Sequence, residues 1–256
     1  MSEGDVVETE RTALLYDVHG NAAALEAVLE DVASRGIGTL VFGGDYANAG
    51  PRPAECVRRI RRAARAAIRG NTDEWVTGQS EPPDPEPFEW TRRHLSAEQL
   101  DWLEARPFDL RLHPPPGTEE TDDLLVVHAN PSDVLTPLIL QPHPYDEWAE
   151  TPADRAEELV EGVSADLVTF GHIHNPSSGE VAGQRLRSIG SVGLPWDEDR
   201  RAAYGIAEWE DGAWFVEDVR VEYDSDAVVD ELERSDQPGA GGVAESLRTA
   251  SFGPMA

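Results

Sequence analysis

The sequence contains no lysine, a single cysteine (Cys56) and no long apolar run. One cysteine excludes an intrachain disulfide framework and a thiolate metal cluster. No apolar segment approaches the ~18 residues that span a bilayer, and the first segment, MSEGDVVETE, is acidic where a signal peptide is basic. We therefore expect a cytoplasmic protein with no membrane partner.

The charge of the chain is strongly one-sided. The 256 residues include 50 Asp and Glu but only 21 basic residues, all of them arginine, and the net charge is −29. Such a surface repels phosphate backbones and anionic lipid, so we expect a small substrate and no long nucleic acid as partner. A lysine-free acidic chain favours a high-salt cell, where a Debye length of ~3 Å screens self-repulsion. The alternative is an arginine-biased protein of an ordinary cell, and the sequence permits a homo-oligomer without indicating one.

Strands and helices alternate in the first third of the chain. The apolar patterns predict strands at 12–17 and 39–45, helices at 21–36 and 55–68, and a short strand before Gly70. This alternation is typical of a parallel sheet, whose catalytic loops lie at the carboxyl ends of its strands.

The pattern is more varied downstream of an acidic, proline-rich connector at 79–87. The elements predicted there are helices at 90–95 and 97–105, strands at 108–113 and 124–129, a helix at 153–163, a strand at 166–172, antiparallel hairpins up to Tyr223, and a short helix at 226–234. No clear element is predicted for 131–148 or for the last twenty or so residues.

Five short segments end predicted strands with side chains that bind metals. They are 17–21 (DVHGN), 43–45 (GGD), 70–73 (GNTD), 126–130 (VVHAN) and 170–174 (FGHIH). Each segment alone is more often a cap, a tight turn or a buried histidine. In an extended exit from a strand, residues two apart point the same way, so Asp17 with His19 could present two ligands to one cavity. We expect all five segments to meet at one edge of the sheet.

The five segments together supply two carboxylates, one amide oxygen and four imidazoles. These candidate ligands are Asp17, His19, Asp45, Asn71, His128, His172 and His174. The set suffices for two ions that share one aspartate, and oxygen with nitrogen and no sulfur fits Mn²⁺, Fe or Zn²⁺ better than Ca²⁺. We expect two divalent ions, with Mn²⁺ first and Fe, Zn²⁺, Ni²⁺ or Co²⁺ as alternatives. Two ions ~3.5–4 Å apart activate a bridging water and clamp a phosphoryl group.

This ordered set of motifs resembles the calcineurin-like metallophosphoesterase superfamily, and most of all its small bacterial and archaeal phosphodiesterase-type branch. The resemblance covers residues 12–223 and includes the stretches DVHGNAAALEAVL, GPRPAE and IGSVGLP. It implies an α+β fold, a four-layer α/β/β/α sandwich with the site at its sheet edge. We assign residues 1–234 to this domain and 235–256 to a flexible or peripheral C-terminal tail.

The resemblance also implies roles for the candidate ligands. Its motifs place the first metal on Asp17, His19 and His174, the second on Asn71, His128 and His172, and Asp45 as a bridge between them. The implied activity is hydrolysis of a phosphodiester or phosphomonoester by in-line attack of a metal-bridging hydroxide, with Asp45, Asn71 and His128 at the catalytic centre and Asn21 near the substrate phosphate. The alternative is a catalytically weak scaffold or binding protein of the same fold.

One position departs from the family pattern. Many members have histidine after the GN asparagine, where it acts on the leaving-group oxygen, and this chain has Thr72. A threonine hydroxyl does not supply a proton near neutral pH as imidazole does. His143, in the loop after the fourth motif, is a candidate substitute, although the composition of loops favours a surface histidine. Trp196 either borders the pocket or packs on the hairpins.

Overall fold

Two β-sheets lie face to face at the centre of the fold, in a computed structural model that describes residues 5–114, 119–143 and 147–252. The strands in chain order are β1 (Asp5–Glu8), β2 (Arg11–Leu15), β3 (Leu40–Phe42), β4 (Ala66–Ala67), β5 (Leu110–His113), β6 (Leu124–Val126), β7 (Leu140–His143), β8 (Glu147–Glu150), β9 (Leu167–Phe170), β10 (Ser177–Val181), β11 (Gln184–Ser188), β12 (Ala202–Glu210) and β13 (Ala213–Val221). One sheet has the order β13-β12-β2-β3-β4 and the other β1-β5-β6-β9-β11-β10, while β7 and β8 pair separately.

Helices cover the outer faces of both sheets. They are α1 (Ala22–Ser34), α2 (Pro53–Ala63), α3 (Asn71–Thr77), α4 (Glu86–His94), α5 (Ala97–Glu104), α6 (Ala153–Val160), α7 (Ser225–Arg234) and α8 (Ala240–Thr249). Helices α1 and α2 pack on the first sheet, and α6 packs on the second. The expected α+β fold, a four-layer α/β/β/α sandwich, is confirmed. Among the described residues, no helix combines the length and apolar character needed to cross a bilayer.

The two sides of β2 show how the sequence builds these layers. Successive side chains of a strand point to opposite faces of the sheet. Ala13 and Leu15 therefore enter the core beneath α1 and α2, whereas Leu14 and Tyr16 enter the core between the two sheets. The apolar run from Ala13 to Leu15 is thus explained by burial on both faces.

The strand and helix alternation of the first third is confirmed, and the largest shift of a boundary is at the end of the second helix. Strands β2, β3 and β4 pair in parallel. The helix predicted for 55–68 ends at Ala63, because the chain becomes extended at Ala64 and enters the sheet. There the N–H of Arg65 donates to the carbonyl of Leu40 at 2.9 Å, and that of Ile68 donates to the carbonyl of Phe42 at 3.0 Å. Pairing within the sheet overrides the helix propensity of the alanines.

The C-terminal segment is ordered into a helix, and the prediction that it lacks an element is wrong. Helix α8 packs on α7 through Val243, Ala244 and Leu247, all buried. The start of this helix, AGG, has poor helix propensity, so its apolar face rather than its local sequence stabilises it. The division of the chain at residue 234 stays a prediction, but residues 240–252 are a packed part of the fold.

Folding is expected to depend on salt, because acidic groups outnumber arginines by 50 to 21. We expect the free energy of unfolding to rise from dilute buffer to molar KCl, measured by circular dichroism with urea. The Debye length falls from ~30 Å at 0.01 M to ~10 Å at 0.1 M and ~3 Å at 1 M, so screening predicts the steepest gain at low salt. A free energy of unfolding that rises in proportion to salt concentration would instead indicate exclusion of the salt from the protein surface. Equal stability in dilute buffer would contradict both screening and the high-salt assignment.

Candidate metal centre

The five motif segments meet where the two sheets come together. Three of them follow β2, β3 and β4 of the first sheet, and the other two follow β6 and β9 of the second. The expectation of a site at the edge of one sheet is therefore wrong in this respect: the site lies between the carboxyl ends of strands from both sheets. His19 and His174, which are 155 residues apart in the chain, face each other there at 3.0 Å between their Nε2 atoms.

Five of the seven candidate ligands have a left-handed backbone. These are Asp17 (φ 53°), His19 (φ 47°), Asp45 (φ 59°), His172 (φ 64°) and His174 (φ 51°). The expectation that paired ligands leave the strands in an extended conformation is therefore wrong. Aspartate and histidine are among the few residues enriched in this region, yet each such residue costs on the order of 1–3 kcal/mol and persists only where its surroundings hold it.

Backbone hydrogen bonds hold these strained turns in place. The N–H of His19 donates to the carbonyl of Asp45 at 2.9 Å, and the N–H of Gly193 donates to the carbonyl of Asp17 at 3.0 Å. Glycine is needed where the turns approach the carboxylates, since a Cβ at Gly70 would clash with Oδ1 of Asp45. The glycines of the motifs thus make room for the ligands.

The first set of candidate ligands is Asp17, His19 and His174. Nδ1 of His19 donates to the carbonyl of Asn48 at 3.0 Å, and Nδ1 of His174 donates to the carbonyl of Leu194 at 2.6 Å. Burial, the largest cause, lowers the pKa of both imidazoles to about 3, so each ring carries one proton, the one on Nδ1. Their Nε2 atoms therefore carry lone pairs that face each other, and the two atoms lie 3.0 Å apart.

A bound cation would resolve this contact. Two neutral imidazole acceptors at hydrogen-bond distance with no proton between them are unfavourable, whereas both lone pairs are suited to a metal ion. Oδ1 of Asp17 lies 3.5 Å from Nε2 of His174, is buried, and has no hydrogen-bond partner. The carbonyls on the outer nitrogens of the rings orient them as such partners do in metal sites. The donors of this set therefore fit a divalent ion.

The second set of candidate ligands is Asn71, His128 and His172. Nδ1 of His128 donates to the carbonyl of Gly43 at 2.9 Å, which leaves its Nε2 2.9 Å from Oδ1 of Asn71. Nε2 of His172 donates to the carbonyl of Leu135 at 2.8 Å, and its Nδ1 lies 3.0 Å from the same Oδ1. Burial lowers the pKa of His172 to about 3. Three acceptor atoms thus converge on one point.

Asp45 lies between the two sets. Its Oδ2 is 3.6 Å from Nε2 of His19, and its Oδ1 is 3.6 Å from Nε2 of His128. The N–H of Thr72 donates to Oδ1 at 2.9 Å and helps to hold the carboxylate in this position. Burial, the largest cause, raises the pKa values of Asp17 and Asp45 well above the ordinary carboxyl range. A bound cation would favour the ionised form of both.

The structure gives Asn21 a structural role. Its Oδ1 accepts the N–H of Ala24 at 3.1 Å and caps α1, while its Nδ2 donates to the carbonyl of Gly193 at 2.9 Å and to the hydroxyl of Tyr223 at 3.2 Å. All of these contacts are within the protein, and Asn21 does not line the cavity at the metal centre. Its assignment near the substrate phosphate stays a prediction, while its observed contacts cap the start of a helix.

Trp196 borders the site and also packs against the C-terminal segment. Its ring stacks on His174, with ring centroids 3.8 Å apart and an interplanar angle of 22°. Its Nε1 donates to Oγ of Ser246 at 3.1 Å, which connects the site to α8. The side chain of His143, the suggested substitute proton donor, lies outside the described part of the structure.

Sequence reasoning missed the partners that orient the ligands. Asp73 accepts hydrogen bonds from the N–H groups of Asp45, Tyr46 and Gly70 at 2.8, 3.1 and 3.0 Å, and so holds the turn that carries the bridging carboxylate. The aspartate stood in the GNTD segment and could have been selected from it. The backbone carbonyls that hold the imidazoles have no sequence signal, since every residue has one.

A cavity of about 390 Å³ opens directly onto these ligands. His19, Asp45, Asn71, His172 and His174 form part of its wall. A second cleft of about 500 Å³ lies between α1, α2 and α7 and contains none of the candidate ligands. The chemistry of the donors makes the smaller cavity the candidate functional site.

The fold and the donors together define a protein that uses divalent metal. The sequence model of the calcineurin-like phosphoesterase superfamily domain matches residues 11–212, and the chain belongs to this superfamily, as its motifs predicted. A solved metallophosphoesterase from Sphaerobacter thermophilus is 26% identical, with a TM-score of 0.72 over 94% of this chain and 99% of that one. A hypothetical protein from Pyrococcus horikoshii OT3 shares the fold, with a TM-score of 0.73 at 20% identity over 94% and 98% of the two chains. An uncharacterized protein of Methanocaldococcus jannaschii is 28% identical over 232 residues, 83% of this chain and 87% of the relative.

Proposed function

We propose that this protein is a dinuclear metal-dependent phosphoesterase that hydrolyses a phosphodiester or a phosphomonoester. The observation that carries the proposal is the pair of inward-facing lone-pair clusters on either side of Asp45. One cluster would hold the first ion and the other the second, with the Asp45 carboxylate shared between them. When bound, two such ions activate water for in-line attack on phosphorus and neutralise the charge of the phosphoryl group.

The proposed role of this chain's residues is to hold the ions and to orient the side chains that bind them. Each of the four imidazoles has one outer nitrogen bonded to a backbone carbonyl, so the lone pair of its other nitrogen stays directed inward. The N–H of Thr72 fixes Asp45, and Asp73 fixes the turn before it. Mn²⁺ is the ion we propose, since oxygen and nitrogen donors without sulfur suit it, with Fe, Zn²⁺, Ni²⁺ or Co²⁺ as alternatives.

A specific observation keeps a second function in view. Thr72 stands where many relatives have the histidine that acts on the leaving group. A protein that binds metal and phosphate but hardly turns over would serve as a scaffold or binding module. Both proposals require the same two ions and differ only in turnover.

Metal counting together with an activity panel tests both proposals. The metal-free protein is reconstituted with Mn²⁺, Zn²⁺, Co²⁺ or Ni²⁺ in molar KCl, and bound metal and hydrolysis of bis-p-nitrophenyl phosphate and p-nitrophenyl phosphate are measured. We expect two ions per chain and hydrolysis that EDTA abolishes. His174→Ala should lose an ion, whereas His94→Ala, which removes a ring packed at a tilt against Trp90, should keep both. Two ions without turnover would establish the scaffold, and one ion or none would overturn both proposals.

A further inference from the structure

The cavity beside the metal centre carries an inference about the substrate, and it rests on the proposed function. We propose that this cavity binds an uncharged aromatic group of a substrate that carries a single phosphate at the metal centre. Its volume of about 390 Å³ lies within the ~300–1,000 Å³ typical of small-molecule sites. Because five candidate metal ligands form one side, a group in the cavity would be attached directly to a phosphate at the ions.

Aromatic rings form much of the remaining wall. Trp75 and Phe88 make an edge-to-face pair with centroids 5.1 Å apart, and Trp196 and Phe252 make another at 4.7 Å. All four rings line the cavity, and Trp75, Phe88 and Phe252 are only partly buried. Rings arranged in this way leave faces and edges for a further ring to pack against. The walls therefore match a flat apolar group better than a sugar or a chain of hydroxyls.

No basic residue other than histidine is present among the described residues that line the cavity. The sequence has no lysine, and the arginines lie elsewhere, many of them in ion pairs with acidic groups. Binding of a second phosphate away from the metals would require such cations. Asp84 adds a negative charge to the wall instead. The cavity thus favours a monophosphate ester with an uncharged organic group and disfavours polyphosphates.

The C-terminal segment is what closes this cavity. Gln237, Val243 and Phe252 all follow the residues matched by the superfamily model, which ends at residue 212. The proline-rich connector contributes Pro83 and Pro87 to the wall. The metal ligands therefore lie in the shared part of the fold, while the proposed specificity is built by segments around it.

Binding of non-hydrolysable phosphonates tests the proposal without requiring turnover. The Mn²⁺-loaded protein is titrated by calorimetry with phenylphosphonate and with methylphosphonate, which carry the same charged group. We expect phenylphosphonate to bind at least about tenfold more tightly, since burial of one ring exceeds the 1.4 kcal/mol that a tenfold ratio represents. Trp75→Leu and Phe88→Leu, which keep apolar bulk, should lower that ratio below about threefold and leave methylphosphonate binding unchanged. Phe215→Leu, which changes an exposed ring on β13, should keep the wild-type ratio. Circular dichroism of each variant establishes that it is folded.

The outcomes separate this inference from the proposed function. Equal binding of phenyl- and methylphosphonate by the wild type, or an unchanged ratio in both aromatic variants, would overturn the aromatic site even if phosphate esters are hydrolysed. A clear preference for phenylphosphonate without hydrolysis of any ester would uphold the aromatic site and favour the scaffold. Failure of both phosphonates to bind the metal-loaded protein would overturn the inference and the proposed function together.

Discussion

Asp45→Asn should lower kcat by about a thousandfold or more and reduce the bound metal below two ions per chain, because one carboxylate is placed to serve both ions. Its two oxygens lie 3.6 Å from Nε2 of His19 and 3.6 Å from Nε2 of His128. The asparagine keeps the shape of the side chain and an oxygen that can accept the N–H of Thr72. It loses the negative charge and one of the two metal-binding oxygens, so the change tests the bridge itself.

A matched control is available in Asp123→Asn. Asp45 and Asp123 are both 2% exposed, and Asp123 pairs with Arg111 at 3.2 Å in the second sheet, away from the ligands. We expect Asp123→Asn to lower the free energy of unfolding but to keep two ions and a normal kcat per folded molecule. Metal analysis and steady-state kinetics measure both quantities. Two bound ions and near-normal kcat in Asp45→Asn would refute the shared carboxylate.

The rate should depend steeply on the leaving group, because Thr72 replaces the family histidine. General acid catalysis is typically worth about 10²–10⁴-fold, and its benefit grows with the pKa of the leaving group. Without an imidazole at this position, p-nitrophenyl esters should be cleaved much faster than alkyl esters. Thr72 lines the cavity, so a histidine introduced there would border the bound substrate.

The measurement is the slope of log kcat against leaving-group pKa for four proteins. Thr72→His should flatten the wild-type slope, and Thr72→Val, which removes the hydroxyl without adding an imidazole, should leave it steep. His143→Ala tests the histidine at the end of β7. A shallow wild-type slope that steepens only in His143→Ala would place the proton donor on that residue. A shallow slope unaffected by every change would place the proton donor on a group other than residue 72 or His143.

The sequence predicted the identity and the order of the candidate metal donors. Residue type alone decides what a side chain can ligate, so Asp17, His128 and His174 could be selected as donors before any contact was known. Strand and helix periodicity placed each of them just after a strand, since that pattern depends on neighbours only a few residues away. The superfamily and the four-layer fold were predicted on this basis and are confirmed.

Features that depend on distant contacts were predicted wrongly or missed. Asn21 follows the first motif, yet its amide caps α1 and binds Gly193, 172 residues away. Helix α8 has a weak local signal and forms because its apolar face packs on α7. The left-handed turns at the ligands replaced the extended exits that strand periodicity suggested, because hydrogen bonds across the site hold them.

The sequence by itself determined which atoms this protein offers to a metal and where along the chain they stand. Only the tertiary structure decided that the lone pairs of His19 and His174 face each other, and that Trp75, Phe88 and Gln237 line the adjoining cavity. The physical reason is the distance along the chain over which each property is determined. Donor chemistry and periodicity are properties of single residues and their near neighbours. The direction of a lone pair and the walls of a cavity depend on how the two sheets and the C-terminal helix pack against each other.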